Sequence, residues 1–233
     1  DLRFFVSAAL RLKTTLPLFK PIRSPPFMNA TQTLPAHYRL YKRLSIRENA
    51  PLFMLNVVSL ALLGLAGVLM LALLRWLRPQ DVAATFTFSI EGTSNFLVVI
   101  LIVLGATFAM MVVHEAFHGI FFWHYTRTRP KFGFRGAYAF AAAPDWYVRR
   151  TPYLITSLAP LVGITLIGIL LLAIVPVRWV PLVMLVVVLN AAGAVGDLWV
   201  AYWLLRCPPD ALGNDQGDVT SLYVPGEPHS ESL

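Results

Sequence analysis

His114, Glu115 and His118 stand in the spacing His-Glu-x-x-His, as His114-Glu115-Ala116-Phe117-His118. Residues i and i+4 of an α-helix lie on one face, one turn apart, so two imidazoles at this spacing can converge on a single metal ion. The glutamate beside them can take a proton from a water held at that site, which is the chemistry of metal-assisted hydrolysis. As a bare string the pattern is only moderately specific. Its surroundings add to it, because it lies within an apolar run, Phe96–Tyr125, long enough to cross a bilayer. Ionisable side chains at such depth cost about 2.5–3.5 kcal/mol each even on lenient insertion scales, so they usually mark function.

The elements that must position these residues are membrane helices. The chain is 57% hydrophobic and only 13% charged, against roughly a quarter charged in soluble domains. Four runs are long enough to span: Leu52–Leu74, Phe96–Tyr125, Pro152–Val175 and Val180–Leu205. They leave room for one compact bundle and no separate soluble domain. The net charge of +7 does not point to nucleic acid, because the basic residues flank the apolar runs and form no basic domain. Nine Lys and Arg precede the first run and six lie between the second and third, whereas Arg75 and Arg78 alone separate the first two. Cytoplasmic loops are enriched in Lys and Arg, so both termini and the second loop are expected on the cytoplasmic side. The only cysteine, Cys207, excludes an internal disulfide; it reads as a free thiol, with juxtamembrane lipidation the lesser alternative.

Two imidazoles are not a complete site, since a catalytic zinc normally has three protein ligands. Span four carries Asp197, and the acids at bilayer depth are Glu115 and Asp197. If span two enters near Phe96, His114 lies about 27 Å along it; if span four enters near Val180, Asp197 lies about 26 Å along. Both spans run in the same direction, so the two residues meet at one depth in the cytoplasmic half. His124 is off the shared face, His37 and His229 lie in extramembrane segments, and Asp145 lies in a loop. Small residues around Asp197, among them Gly193 and Gly196, and Gly105, Ala109, Ala116 and Gly119 on span two, are expected to let the two helices approach closely. Asn190 shares the Asp197 face and can hydrogen-bond a substrate backbone, a ligand or a neighbouring helix.

His114-Glu-Ala-Phe-His-Gly119 in one span and Asn190-Ala-Ala-Gly-Ala-Val-Gly-Asp197 in a later one resemble the small bacterial membrane proteins classed as putative zincin peptidases. By pattern these are similar to the site-2 intramembrane zinc metalloproteases. The resemblance runs from Met28 to near Asp215–Tyr223 and includes Ser157-Leu-Ala-Pro160. It implies that His114, His118 and Asp197 are metal ligands, that Zn2+ is the cofactor and that Glu115 is the general base. Leu198 follows the aspartate where site-2 proteases have glycine, and the prolines of that motif are missing. In the second loop, Lys131–Phe140 has period-two aromatics around Arg135-Gly136, which predicts a short hairpin comparable to a strand element near the site-2 active site. The hairpin can bind substrate by strand addition or simply anchor in headgroups.

The expectation is therefore an all-α membrane protein of about four transmembrane helices, with a short β-hairpin-like element in the cytoplasmic loop between helices 2 and 3. Residues 1–27 read as a basic leader, either a membrane-adjacent arm or a stretch preceding natural translation from Met28. Residues 28–207 form the metalloprotease-like domain, and 208–233 an acidic cytoplasmic tail expected to be mobile or loosely folded back. His37–Arg47 reads as an interfacial segment on anionic lipid or a solvated linker. The expected activity is zinc-dependent hydrolysis of peptide bonds in membrane-embedded or membrane-proximal proteins, in a bacterial plasma membrane. Its partners would be the bilayer and a membrane protein or peptide substrate, with no nucleic acid. The competing readings are a non-enzymatic metal-binding or transport protein and an inactive peptidase-like regulator.

Overall fold

A computed structural model describes residues 29–45, 48, 51–85, 92–135 and 138–226. The 1–27 leader, Met28 and His229 lie outside the described residues. Helix α1 spans Leu52–Leu77, α2 Gly92–Thr126 and α3 Arg150–Ile174. The fourth apolar run is two helices, α4 (Val180–Gly193) and α5 (Val195–Arg206), bent by 44° at the break. Among the described residues, three helices are thus long and apolar enough to cross a membrane, or four if α4 and α5 form one broken span.

These helices expose apolar side chains that water would not tolerate. Phe53 is 84% exposed, Leu101 67% and Leu170 68%. Continuous apolar surface of this kind is lipid-facing in a membrane protein and an aggregation hazard elsewhere. Along α2, where the faces alternate little in polarity, only the positions near its C-terminal half are drawn inward. Two apolar clusters hold the bundle. One, with Met70, Leu74, Leu172, Val180 and Val187, joins α1, α3 and α4. The other, with Phe122, Val148, Tyr153, Leu204 and Leu222, joins α2, α3 and α5 to strands. Asn190 and Asp197 fall between the two clusters along the α4–α5 pair, whereas His114 and His118 lie on α2 ahead of Phe122 of the second cluster. Beyond the first cluster Arg78 closes the far end, donating to the Val175 carbonyl at 2.5 Å and to Asp81 at 2.6 Å.

The all-α expectation is corrected by a five-stranded antiparallel sheet. Its order is β1 (Ala30–Thr31), β5 (Tyr147–Arg149), β6 (Leu212–Asp215), β7 (Val219–Pro225) and β2 (Tyr38–Ser45). The tail is therefore folded, not mobile, over 212–225, and Tyr38–Ser45, expected as an interfacial segment or linker, is a strand along β7. The reason is pairing at long range. Val219–Pro225 buries Thr220, Ser221, Leu222 and Val224 and completes a sheet whose other strands come from before α1, from between α2 and α3 and from the tail segment Leu212–Asp215. That common sheet puts the N-terminal strands, the second loop and the tail at one end of the helices. The expected hairpin is present as β3 (Lys131–Arg135) and β4 (Tyr138–Ala142), paired Lys131↔Ala142 to Arg135↔Tyr138. Cys207 is buried, its thiol directed at the Trp203 carbonyl, which leaves no accessible lipidation site.

Leu222 is fully buried in the cluster that joins sheet to helices. Leu222→Ala should destabilise the protein by about 2–5 kcal/mol through the cavity it leaves, read as a lowered unfolding midpoint in detergent. An unchanged midpoint would show that the tail strands do not brace the bundle.

Candidate metal centre

The site is assembled from three helices at matching distances from the sheet end. His118 lies eight residues before the end of α2, Thr156 six residues after the start of α3, and Asp197 nine residues before the end of α5. At ~1.5 Å per residue these are about 12, 9 and 14 Å from that end. His114 Nε2 approaches Asp197 Oδ2 at 3.1 Å, and His118 Nε2 approaches Asp197 Oδ1 at 3.2 Å. The three ligand atoms lie within 4.8 Å of one another. The rings are 5.1 Å apart between centroids and inclined at 76°, as one helical turn dictates.

The far side of each ring fixes its tautomer. His118 Nδ1 is 2.9 Å from the Thr156 carbonyl, which can only accept, so this nitrogen carries the proton. His114 Nδ1 is 2.9 Å from Asn190 Oδ1. The Asn190 amide cannot be flipped without loss, because its Nδ2 donates to the Pro160 carbonyl at 3.2 Å. His114 Nδ1 is therefore also the protonated nitrogen. Both Nε2 lone pairs then face carboxylate oxygens, an arrangement satisfied by a further proton or by a cation among them. The donor set fits zinc. Two imidazoles and one carboxylate are a usual catalytic ligand set, and tetrahedral bonds of ~2.0–2.1 Å put ligand atoms about 3.3 Å apart. Acceptors from Asn190 and a backbone carbonyl, which take the Nδ1 protons, are the outer contacts that orient ligating histidines.

Glu115 does not join this cluster. It lines the adjoining cavity, of about 330 Å³, and its carboxylate accepts from the Ala141 backbone N–H on β4. Asn190 is fully buried and does not line the cavity; its amide is engaged by His114 and Pro160. The remaining candidates stand apart: His124 packs on Tyr125, His37 on Tyr38, and Asp145 pairs with Lys131 at 2.9 Å.

The small residues act differently from the expectation. A Cβ at Gly105, Gly193 or Gly196 would meet nothing within 4 Å, so these glycines do not seat one helix on another. Gly193 and Gly196 leave the open space of the cavity instead. The α4–α5 bend, not close packing, delivers Asp197. It also frees the Ala192 carbonyl, which Ser59 of α1 satisfies at 2.8 Å. Close approaches occur at Gly163 beneath Phe117 and at Gly119 beneath Phe132 of the hairpin.

Sequence reasoning missed the opposite wall of the cavity. Tyr153 donates to Asp215 Oδ2 at 2.7 Å and lies 3.1 Å from Thr220, both on the tail hairpin. Burial pushes the Asp215 carboxyl above the ordinary range. Phe140 fills the space over Gly133 and Gly217, joining the two hairpins above the cavity; Gly217 has φ +96°, where a side chain would be strained. The available signal was the turn Asp215-Gln-Gly-Asp218 before an alternating stretch.

Fold and site together combine three to four helices apolar enough to cross a membrane, as in an integral membrane protein, with a part-buried two-histidine, one-aspartate cluster that could hold a metal. Residues 107–212 match the model of a family described as putative zincin peptidase, and this match supports that family for the chain. The matched segment contains His114, Glu115, His118 and Asp197 and stops as β6 begins. No curated protein and no solved structure matched in the other two comparisons.

Zinc content of the purified protein tests the ligand set. Wild type should hold about one zinc per chain, and Asp197→Ala should lose most of it, as one of three protein ligands is removed. Equal occupancy in the variant would exclude Asp197 as a ligand.

Proposed function

We propose that this protein is a zinc-dependent intramembrane metallopeptidase, related in mechanism to the site-2 proteases, that cleaves membrane-embedded or membrane-proximal polypeptides. The observation that carries the reading is the placement of Glu115, beside the His114–His118–Asp197 cluster, in the cavity and at the edge of a β-strand. Bound zinc would supply Lewis acidity toward a peptide carbonyl and toward water.

The chain's own residues would do the rest. His114, His118 and Asp197 hold the ion, and Asn190 and the Thr156 carbonyl keep both Nε2 atoms turned toward it. Glu115 takes a proton from the attacking water as its oxygen adds to the carbonyl carbon. It then delivers that proton to the amine as the C–N bond breaks. Peptide bonds in a helical substrate are already hydrogen-bonded, so the substrate must unwind before attack. β4 offers a template for the extended form. Among the described residues it pairs only with β3, and Ala139, Phe140 and Ala141 line the cavity. A substrate strand added at that edge lies next to Glu115. The Lys and Arg distribution supports a cytoplasmic location for the sheet end, where the site would sit in the cytoplasmic half of the bilayer.

The test is Glu115→Gln in proteoliposomes with a panel of single-span membrane proteins. The variant should keep its zinc while cleavage falls by at least about a hundredfold, the usual worth of a general base. Cleavage at the wild-type rate would remove Glu115 from the mechanism.

A further inference from the structure

Ser157-Leu-Ala-Pro160 stands out in the sequence and has no part in the mechanism above. Pro160 is fully buried within α3. In a regular helix the carbonyl of residue 156 accepts the N–H of residue 160. Proline has no N–H, and its ring pushes the i−4 carbonyl aside. The carbonyl released in this way is Thr156, the acceptor of His118 Nδ1 at 2.9 Å. The carbonyl of Pro160 itself, one turn further on, holds Asn190 Nδ2 at 3.2 Å, and Asn190 Oδ1 in turn faces His114 Nδ1 at 2.9 Å. A single turn of α3 thus reaches the outer nitrogen of both rings through main-chain oxygens.

We propose that Pro160 is a positioning residue for the metal site: by withholding its amide it frees the Thr156 carbonyl to orient His118, while its own carbonyl anchors the Asn190 tether of His114. The inference rests on the reading of His114, His118 and Asp197 as metal ligands. Two features speak for a positioning role. Proline is the poorest helix former, so its presence inside α3 works against the helix. An unpaired carbonyl at this depth is costly, and His118 Nδ1 is the group that satisfies it.

The experiment titrates full-length protein in detergent with Co2+, followed by visible absorption and by competition with Zn2+, for wild type and Pro160→Ala. Alanine restores the amide, returns the Thr156 carbonyl to the helix and strips His118 Nδ1 of its acceptor; it leaves the carbonyl at 160, and so the Asn190 tether, in place. The expected result is about 10- to 100-fold weaker binding with an altered cobalt spectrum, while the metal-free variant unfolds at the same or a higher temperature. A residue that served only the fold would instead lower that temperature and leave the spectrum of bound cobalt unchanged. Equal affinity with an unchanged spectrum would overturn the inference and leave the metal site standing. No Co2+ binding by wild type would overturn both. Nitrogen-15 spectra of histidine in the zinc-loaded wild type give a second reading that does not depend on how the variant folds. Both rings should be protonated at Nδ1 and ligated through Nε2; ligation of His118 through Nδ1 would refute the proposal.

Discussion

Everything around the site depends on one contact set: two imidazole Nε2 atoms held against the two oxygens of Asp197, inside helices that are otherwise apolar. Polar groups at such depth must be satisfied from within the protein, because lipid offers no partners. The structure meets this demand at each outer nitrogen with an oxygen that cannot do otherwise than accept. The inner nitrogens and the carboxylate are left facing one another. A cation held among them would satisfy all three side chains at once.

The same constraint explains the shape of the bundle. The apolar clusters flank the polar layer along α3 and the α4–α5 pair, while α2 is held at the sheet end through Phe122. The bend between α4 and α5 turns Asp197 toward α2 and opens the cavity beside Gly193 and Gly196. Its freed carbonyl is satisfied by Ser59, which ties α1 to the same arrangement. The five-stranded sheet then closes one end, and Phe140 joins the hairpin that carries Ala141 to the tail hairpin that carries Asp215.

The residues that meet at the candidate site were legible because their types are improbable where they stand. His114, Glu115, His118 and Asp197 interrupt long apolar runs, and simple depth along two parallel helices pairs His114 with Asp197. The β3–β4 hairpin was legible from its period-two aromatics. The larger sheet was not, because β1 and β2, β5, and β6 and β7 come from three distant segments, and short strands acquire their register only from one another. Glycine was misread for a similar reason: small-residue spacing is equally compatible with close helix packing and with the open wall of a cavity. Thr156 was invisible as an acceptor since it acts through its backbone, and Asn190 could be placed on the correct face but not assigned between His114 and a substrate.

Zinc K-edge absorption on the zinc-loaded, full-length protein in membranes probes the central contact set most directly. Two imidazole nitrogens and carboxylate or water oxygen at about 2.0–2.2 Å are the shell that His114, His118 and Asp197 should give, with the imidazole contribution halved in His114→Ala. A shell of oxygens alone, or one unchanged by that substitution, would mean that zinc binds elsewhere and that the cluster in the helices is not its site.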